Sequence, residues 1–290
     1  MHPFTYEAPT SLDAALDRLG SAASRADLLA GGTDLLVQLR GGRTSPASVI
    51  DVKKIPELSR LELDDDGLRL GAAVSCWELS RRDDIRTLYP GLMEAAELIG
   101  SMQIQGRATV GGNLCNASPA ADTIPALIAL GARAALVGSD GERELAVEDF
   151  VTGPGQSALR ENELLVEIRI ARPAERTADA YLRFTPRAEM DIAVVGAGVS
   201  LTLDGSGTCT SARASLGAVA DRALLVPEIA AALVGQPIDT AALERAAAAA
   251  SAAARPISDK RGTAAYRTRV AGVLTKRAAA AAAERAGGQR

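Results

Sequence analysis

Two widely separated glycine pairs constrain this 290-residue chain more than any other feature. The first lies in Ala-Gly-Gly-Thr-Asp-Leu at residues 30–35, and the second lies in Thr-Val-Gly-Gly-Asn at residues 109–113. Paired glycines let the backbone turn sharply and bring N–H groups close to a ligand. Two such turns can grip the two phosphates of one dinucleotide from opposite sides. A flavin-type dinucleotide is therefore the first ligand to consider.

The first pair is predicted to connect a strand to a helix. Residues 27–30 have the pattern of a short buried strand, and Thr33 or Asp34 is a suitable helix N-cap. Leu35, Leu36 and Leu39 then form the apolar stripe of a short helix. A strand, a double glycine and a helix start together point free N–H groups at an anion. The alternative is an ordinary tight turn with no ligand.

The second pair lies in a long segment of small and polar residues, 106–125, that carries only two formal charges. Thr109, Asn113 and Ser118 offer neutral hydrogen-bonding groups, which suits a backbone wrapped closely around a ligand. An irregular loop lining the core is the alternative. We expect Gly32→Val or Gly111→Val to remove the ligand while leaving much of the fold, because valine disfavours a positive φ and fills space.

Other nucleotide-binding and catalytic signatures are missing from the sequence. It has no phosphate-binding P-loop motif, and Gly196-Ala197-Gly198 continues as a strand, where the glycines are predicted to ease packing in a sheet. The net charge of −4 argues against a general nucleic-acid binder. With His2 as the only histidine, we expect no catalytic triad and no catalytic residue. The chemistry is expected to come from a cofactor.

Metal chemistry is equally unsupported, and no metal ligand is predicted. The acidic run at residues 64–66 is interpreted as a turn between strands rather than a cation loop. Trp77 and Tyr89 are interpreted as core aromatic residues. The cysteines are too few for an iron–sulfur cluster, form no disulfide framework and are expected to be buried. They are Cys76, Cys115 and Cys209.

The chain is predicted to have three α+β parts. Strands and helices alternate up to about residue 54, and a second region follows from about 57 to 171. The polar, proline-containing segment 171–177 then reads as a linker. In the third part, residues 192–203 and 208–219 form a predicted hairpin, with alanine-rich helices packed on one side of its sheet.

With its flanking segments, this pattern resembles the FAD-binding medium subunit of the molybdenum hydroxylases, the xanthine dehydrogenase and carbon monoxide dehydrogenase family. Both glycine loops resemble that family's FAD pyrophosphate loops. Segments 4–16, 49–58, 70–74 and 259–267 resemble its other signatures. The resemblance implies a two-lobed FAD-binding domain of the PCMH (vanillyl-alcohol oxidase-like) type at 1–175, with lobes at about 1–56 and 57–175. A smaller α+β domain, an antiparallel sheet with helices, would follow at 178–286.

The resemblance also implies the residues that bind FAD. It places the pyrophosphate on the two glycine loops, Asp122 on the cofactor, Leu165 near the flavin or adenine and Arg183 near the flavin ring. Asp122 could instead be a helix N-cap, and Arg183 could form a surface or interface ion pair. Some relatives have an aromatic residue where Ile99 lies. The implied set is Leu29, Ala30, Gly31, Gly32, Thr33, Asp34, Leu35, Thr109, Val110, Gly111, Gly112, Asn113, Asp122, Leu165 and Arg183.

The implied function is electron transfer within a molybdenum hydroxylase. This chain would hold FAD, a small partner would hold [2Fe-2S] clusters, and a large partner would hold the molybdopterin cofactor, in a dimer of heterotrimers. A stand-alone flavin oxidoreductase and a cofactor-free assembly protein are the alternatives. The sequence shows no signal peptide and no apolar stretch of membrane-span length, so a cytoplasmic protein without a membrane span is expected.

Overall fold

A computed structural model describes residues 2–21 and 25–288. The first lobe is a three-stranded parallel sheet in the order β1-β3-β2. Parallel strands need crossover connections, and one helix lies between each pair of strands that are consecutive in the chain. The strands are β1 (Thr5–Glu7), β2 (Ala26–Leu29) and β3 (Ser48–Asp51), and the helices are α1 (Leu12–Ser21) and α2 (Leu35–Arg40). The first glycine loop follows the end of β2 and therefore lies at the carboxyl edge of the sheet.

The second lobe is built on an antiparallel five-stranded sheet, in the order β4-β5-β10-β6-β7, with helices over its apolar face. A short 3-10 helix, Pro56–Ser59, leads into it. The larger strands are β4 (Leu61–Leu63), β5 (Gly67–Gly71), β6 (Arg133–Gly138), β7 (Gly141–Ala146) and β10 (Glu163–Ala171), and β8 (Val151–Gly153) pairs with β9 (Gln156–Ser157). The helices are α3 (Cys76–Ser80), α4 (Asp83–Leu88), α5 (Pro90–Glu97), α6 (Met102–Gln105), α7 (Val110–Cys115), α8 (Thr123–Ala129) and α9 (Val147–Phe150).

The C-terminal part is an antiparallel sheet in the order β11-β12-β13-β14, covered by alanine-rich helices. Its strands are β11 (Thr177–Phe184), β12 (Val195–Leu203), β13 (Cys209–Gly217) and β14 (Leu224–Leu225), followed by α10 (Pro227–Leu233), α11 (Thr240–Ala253) and α12 (Ala264–Ala286). The predicted hairpin is present as β12 and β13. The sequence analysis missed β11 and β14, so the sheet is larger than expected.

The other face of this sheet receives helices α5 and α8 from the second lobe. Glycines make the close approach possible: a Cβ on Gly198 would lie 2.6 Å from the carbonyl oxygen of Pro125, and one on Gly217 would lie 2.7 Å from the Pro125 ring. Ser215 donates a hydrogen bond to the same carbonyl. The prediction that Gly198 eases packing in a sheet is thus confirmed, and the domains meet in a close-packed contact.

Three smaller predictions can be scored on the described residues. The acidic turn is confirmed, because the Asp64 carboxylate accepts hydrogen bonds from the N–H groups of Asp66 and Gly67 between β4 and β5. Tyr89 is fully buried, as expected. Trp77 was wrongly placed in the core: it is 46% exposed, because α3 turns Cys76 and Leu79 inward instead.

Candidate functional site

A cleft of about 750 Å³ lies where the two lobes meet. Both glycine loops line it, together with the carboxyl end of β2. The edge formed by the carboxyl ends of parallel strands is where open sheets usually bind ligands. The volume is within the range of cofactor sites, which run to about 1,000 Å³. The fold therefore brings the two sequence-distant glycine pairs into one concave site.

The first glycine loop presents unpaired backbone donors. Within the described part of the chain, the N–H groups of residues 31–35 have no hydrogen-bond partner. Gly32 has a φ of +78°, a conformation that other residues rarely adopt, and this angle turns the chain from β2 into α2. Asp34 occupies the N-cap position, but its side chain makes no capping bond. The loop is suited to bind an anion through its backbone.

The second glycine pair belongs to a helix rather than to an extended loop, which corrects the sequence analysis. Thr109 caps α7, its hydroxyl accepting a hydrogen bond from the N–H of Gly112 at 2.8 Å. Asn113 is also engaged, because its side-chain oxygen accepts from both the N–H and the hydroxyl of Thr123. These groups therefore stabilise the local fold, which leaves the N–H of Gly111 as a donor without a partner among the described residues.

Gly111 is glycine for a reason different from the one predicted. Its φ is not positive, and a Cβ there would lie 2.6 Å from both the Cα and the carbonyl oxygen of Ala72. Backbone atoms cannot move aside cheaply. We therefore withdraw the expectation that Gly111→Val leaves most of the fold intact, and keep it for Gly32, where the nearest atom belongs to the flexible Leu29 side chain.

The two loops touch each other directly. A Cβ on Gly31 would lie 2.0 Å from the carbonyl oxygen of Arg107, two residues before the second motif. Farther along, the side-chain amide of Gln38 on α2 donates to the side-chain oxygen of Asn116 beyond α7, at 3.1 Å. These contacts hold together the two segments that line the cleft.

Most of the predicted site residues line this cleft, although their contact with a cofactor stays a prediction. The lining includes Ala30, Gly31, Gly32, Thr33, Asp34, Leu35, Thr109, Gly111, Gly112, Asn113 and Leu165. Four others lie outside the lining: Leu29, Val110, Asp122 and Arg183. Leu29 precedes the first loop and Val110 lies buried within the second, whereas Asp122 and Arg183 form a separate pair.

Asp122 and Arg183 are an ion pair across the domain contact. The Arg183 guanidinium donates to the Asp122 carboxylate at 3.0 Å and to the carbonyl of Leu98 at 2.9 Å, and its side chain is only 3% exposed. Burial raises the pKa of Asp122 to about 6, against the opposing effect of the Arg183 charge. Asp122 stands at the N-cap position of α8 without making a capping bond. The alternative of an ion pair for Arg183 is therefore present, and this ion pair is buried.

The sequence analysis missed part of the cleft wall. Arg160 and Asn162, in the turn before β10, line the cleft, and Asn162 has a φ of +62°. Asparagine tolerates this conformation, so a polar turn before a strand was the available signal. Cys115 also lines the cleft and is exposed, which corrects the expectation that all three cysteines are buried. Cys76 and Cys209 are buried as predicted.

Within residues 2–21 and 25–288, no group of three or more His, Cys, Asp or Glu side chains could hold a metal ion. No helix in those ranges is both long and apolar enough to cross a bilayer. The cleft carries free backbone N–H groups on its glycine loops, and such groups bind phosphate-containing cofactors. Its volume also suits a dinucleotide, so the fold and the site define a cofactor-binding protein.

Comparisons with known proteins define the class further. The family described as "FAD binding domain in molybdopterin dehydrogenase" matches residues 2–173, and "CO dehydrogenase flavoprotein C-terminal domain" matches residues 180–282. The chain is 35% identical to the carbon monoxide dehydrogenase medium chain of Hydrogenophaga pseudoflava over 96% of each chain. It is 31% identical to the nicotinate dehydrogenase FAD-subunit of Eubacterium barkeri over 84% of each.

A solved structure of a CO dehydrogenase chain is also similar to this protein. A chain of reconstituted CO dehydrogenase from Oligotropha carboxidovorans superimposes with a TM-score of 0.93 at 34% identity, over 98% of this chain and 99% of the other. The chain belongs to the family of FAD-binding subunits of molybdopterin dehydrogenases. The predicted family, the α+β fold with its FAD-binding and C-terminal domains, the FAD cofactor and the oxidoreductase class are confirmed.

Proposed function

We propose that this chain is the electron-transfer subunit of a molybdenum hydroxylase and binds the FAD pyrophosphate between its two glycine loops. The observation that carries the assignment is the direct contact of the loops. Gly31 lies against the carbonyl of Arg107, and both Gly31 and Gly111, whose N–H groups have no partner among the described residues, line the same cleft. An array of backbone donors binds a diphosphate without needing a cation from the protein.

The remaining predicted residues have supporting roles in this proposal. Leu165 and Ile99 supply apolar surface on the cleft wall. Arg183 and Asp122 lie just behind that wall, because the Leu98 carbonyl that accepts from Arg183 belongs to the residue before Ile99. Their proposed effect on FAD is through the position of the Leu98–Ile99 segment and through the local charge.

Bound FAD supplies redox chemistry in which electrons are accepted singly and passed on in pairs. The chain's own part is to bind, orient and shield the cofactor. Electrons are proposed to come from [2Fe-2S] clusters on a small partner, after oxidation of substrate at a molybdenum cofactor on a large one. Support comes from the relatives' names, which describe a medium chain and an FAD-subunit of larger enzymes.

The decisive measurement is the flavin content of the purified complex. We expect a flavin absorption spectrum and one FAD released per copy of this chain on denaturation. A complete complex that carries no flavin contradicts the proposal and favours an assembly protein. Substrate-dependent flavin reduction by this chain alone favours the stand-alone oxidoreductase.

The assembly is tested separately by purification from the native host with a tag on this chain. We expect a small iron–sulfur partner and a large molybdenum partner to co-purify in equal amounts, with a mass that fits two heterotrimers. An active, homogeneous monomer without a cluster-bearing partner contradicts this. The cytoplasmic location stays a prediction, and cell fractionation checks it.

A further inference from the structure

Lys53 contacts the first glycine loop but is not part of the lining of the cleft. The Lys53 ammonium donates a hydrogen bond to the carbonyl oxygen of Ala30 at 3.1 Å and forms an ion pair with Asp51 at 2.7 Å. Ala30 is the residue before the glycine pair. Lys53 therefore contacts the loop at the peptide bond that leads into Gly31.

Lys53 is itself held in place. Asp51, 7% exposed, accepts hydrogen bonds from the Tyr6 hydroxyl at 2.6 Å and from the backbone N–H of Lys53 at 3.0 Å. Burial alone raises the pKa of Asp51, but the hydrogen bonds from Lys53 and Tyr6 outweigh it and hold the pKa below its usual value. Asp51 thus stays ionised at neutral pH, and its charge fixes the ammonium of Lys53.

The sheet explains why these groups meet. Asp51 ends β3 and is in register with Leu29 at the end of β2, so both strands finish beside the start of the loop. Tyr6 reaches Asp51 from β1, the neighbour of β3 on the other side. All three strands of the first lobe therefore contribute to one support under the glycine loop.

Because the peptide bond is planar, the hydrogen bond from Lys53 to the Ala30 carbonyl also fixes the orientation of the Gly31 N–H. In a planar trans peptide, the carbonyl oxygen and the N–H point in opposite directions. The Ala30 carbonyl points toward Lys53, so the N–H of Gly31 points away from it. Gly31 lines the cleft, whereas Lys53 does not. Without a donor at Lys53, the Ala30 carbonyl loses the hydrogen bond that fixes this peptide, and the orientation of the Gly31 N–H is less well held.

We propose that Lys53 is a positioning residue that aims the first glycine loop at the cofactor's pyrophosphate, with Asp51 and Tyr6 fixing its ammonium. This inference rests on the proposed function, since it requires FAD in the cleft. Asp51 neutralises Lys53, so the lysine acts through the loop rather than as a counter-charge to the phosphates. The competing interpretation is an ion pair that stabilises the lobe without affecting the ligand.

The test compares Lys53→Met with Lys54→Met in the full chain, within the assembly in which the wild type retains FAD. Lys54 is the adjacent, exposed residue, so both variants lose the same charge. We expect Lys53→Met to raise the Kd for FAD about tenfold, the loss typical of one charge-assisted hydrogen bond. Lys54→Met should stay within twofold of wild type.

The specific readout is the ³¹P NMR spectrum of bound FAD. Lys53→Met should shift the pyrophosphate resonances while leaving the visible absorption of the flavin ring unchanged. Lys53→Arg, which keeps a charged donor, should restore both the Kd and the ³¹P shifts. Adding Asp51→Asn to Lys53→Met should cost little more affinity, because the two residues act as a unit.

The outcomes separate this inference from the proposed function. A wild-type complex without FAD overturns both. A wild type that holds FAD, with Lys53→Met leaving the Kd and the ³¹P shifts unaltered, overturns the role of Lys53 alone. A lower thermal stability with unchanged ³¹P shifts also overturns it, because the pair is then structural only.

Discussion

The cleft and the contact between the domains differ in the polar groups that they present. In the cleft the free donors of the first glycine loop are the backbone N–H groups of residues 31–35. At the domain contact the buried polar groups are charged side chains: Asp122 pairs with Arg183, and Asp179 accepts a hydrogen bond from the N–H of Leu92 at the start of α5.

This difference predicts different responses to pH and to mutation. Backbone N–H groups do not titrate, so the loops bind an anion in the same way across the physiological range. The domain contact holds two carboxyl groups whose pKa values burial raises to about 6 for Asp122 and about 7 for Asp179. The cleft is therefore sensitive to added volume at glycines, whereas the contact is sensitive to protons.

The largest expected effect comes from Gly111→Ala. The new Cβ would lie 2.6 Å from backbone atoms of Ala72, so the strand-to-helix packing must shift. We expect the free energy of unfolding to fall by about 3 kcal/mol, the upper part of the usual range for overpacking. Denaturant unfolding of the flavin-free chain measures it.

Gly112→Ala is the matched control for that variant. Its Cβ meets only the Thr109 hydroxyl, at 2.9 Å, so the chain should lose less than half as much stability. Equal losses for the two variants would show that the helix, rather than the contact with Ala72, sets the requirement for glycine.

The next largest effect is expected on FAD binding, in the variant Gly31→Ala. In Gly31→Ala the Cβ would lie 2.0 Å from the Arg107 carbonyl oxygen, so the two loops must separate. We expect FAD affinity to fall about 100-fold, or roughly 2.7 kcal/mol, together with a loss of stability, because the Arg107 carbonyl is a backbone group that cannot move aside cheaply. Titration with FAD and thermal unfolding separate the two. Wild-type affinity in this variant would show that the contact between the loops does not shape the site.

Asp179→Asn tests the domain contact through its pH dependence. The folded-state pKa of about 7 exceeds the ordinary value of 3.8, because burial and then nearby Glu94 disfavour the charge while hydrogen bonds from Gly91 and Leu92 and the Arg285 charge favour it. Between these pH values the folded state binds more protons, so the free energy of unfolding falls as pH rises. We expect the variant to be more stable than wild type at pH 8, by on the order of 2 kcal/mol, and to match it near pH 4.

Asparagine suits this position because one oxygen of Asp179 has no hydrogen-bond partner in the described part of the chain, while the other accepts from Leu92. An amide can keep the second bond without a charge. Urea unfolding at pH 4 and pH 8 makes the comparison. Parallel pH profiles for wild type and variant would mean that Asp179 does not titrate in this range.

The same contrast explains what could be predicted from sequence. The turns at the glycine pairs could be predicted because a tight turn depends on local sequence, here residues 30–35 and 109–113. The alanine-rich helices were readable from propensity alone. The contact between Asp122 and Arg183 could not be predicted from the sequence. The two residues are 61 positions apart, and only the packing of α8 against the C-terminal sheet brings them together.

The errors have the same origin. Gly111 was expected to face the ligand with a positive φ, but its neighbour Ala72 lies 39 positions earlier in the chain (111 − 72) and is invisible to a local pattern. Trp77 was interpreted as a core aromatic residue. Here its ring packs against the guanidinium of Arg81, 4.9 Å away, on the surface of a helix that buries other residues.

The smallest expected effect links the two regions and comes from Ile99→Ala. Ile99 lines the cleft, yet its neighbours are held from the other side: the Leu98 carbonyl accepts from Arg183, and the Gly100 carbonyl accepts from the N–H of Met190. Ile99 is only partly buried, so its truncation should cost about 1 kcal/mol of stability, below the usual range for fully buried residues. If the flavin ring lies at this end, the visible spectrum of bound FAD should shift while Kd changes less than fivefold. Ile99→Val is the control and should leave both unchanged; an unshifted spectrum in Ile99→Ala would place the ring away from Ile99, and with it away from the segment that Arg183 holds.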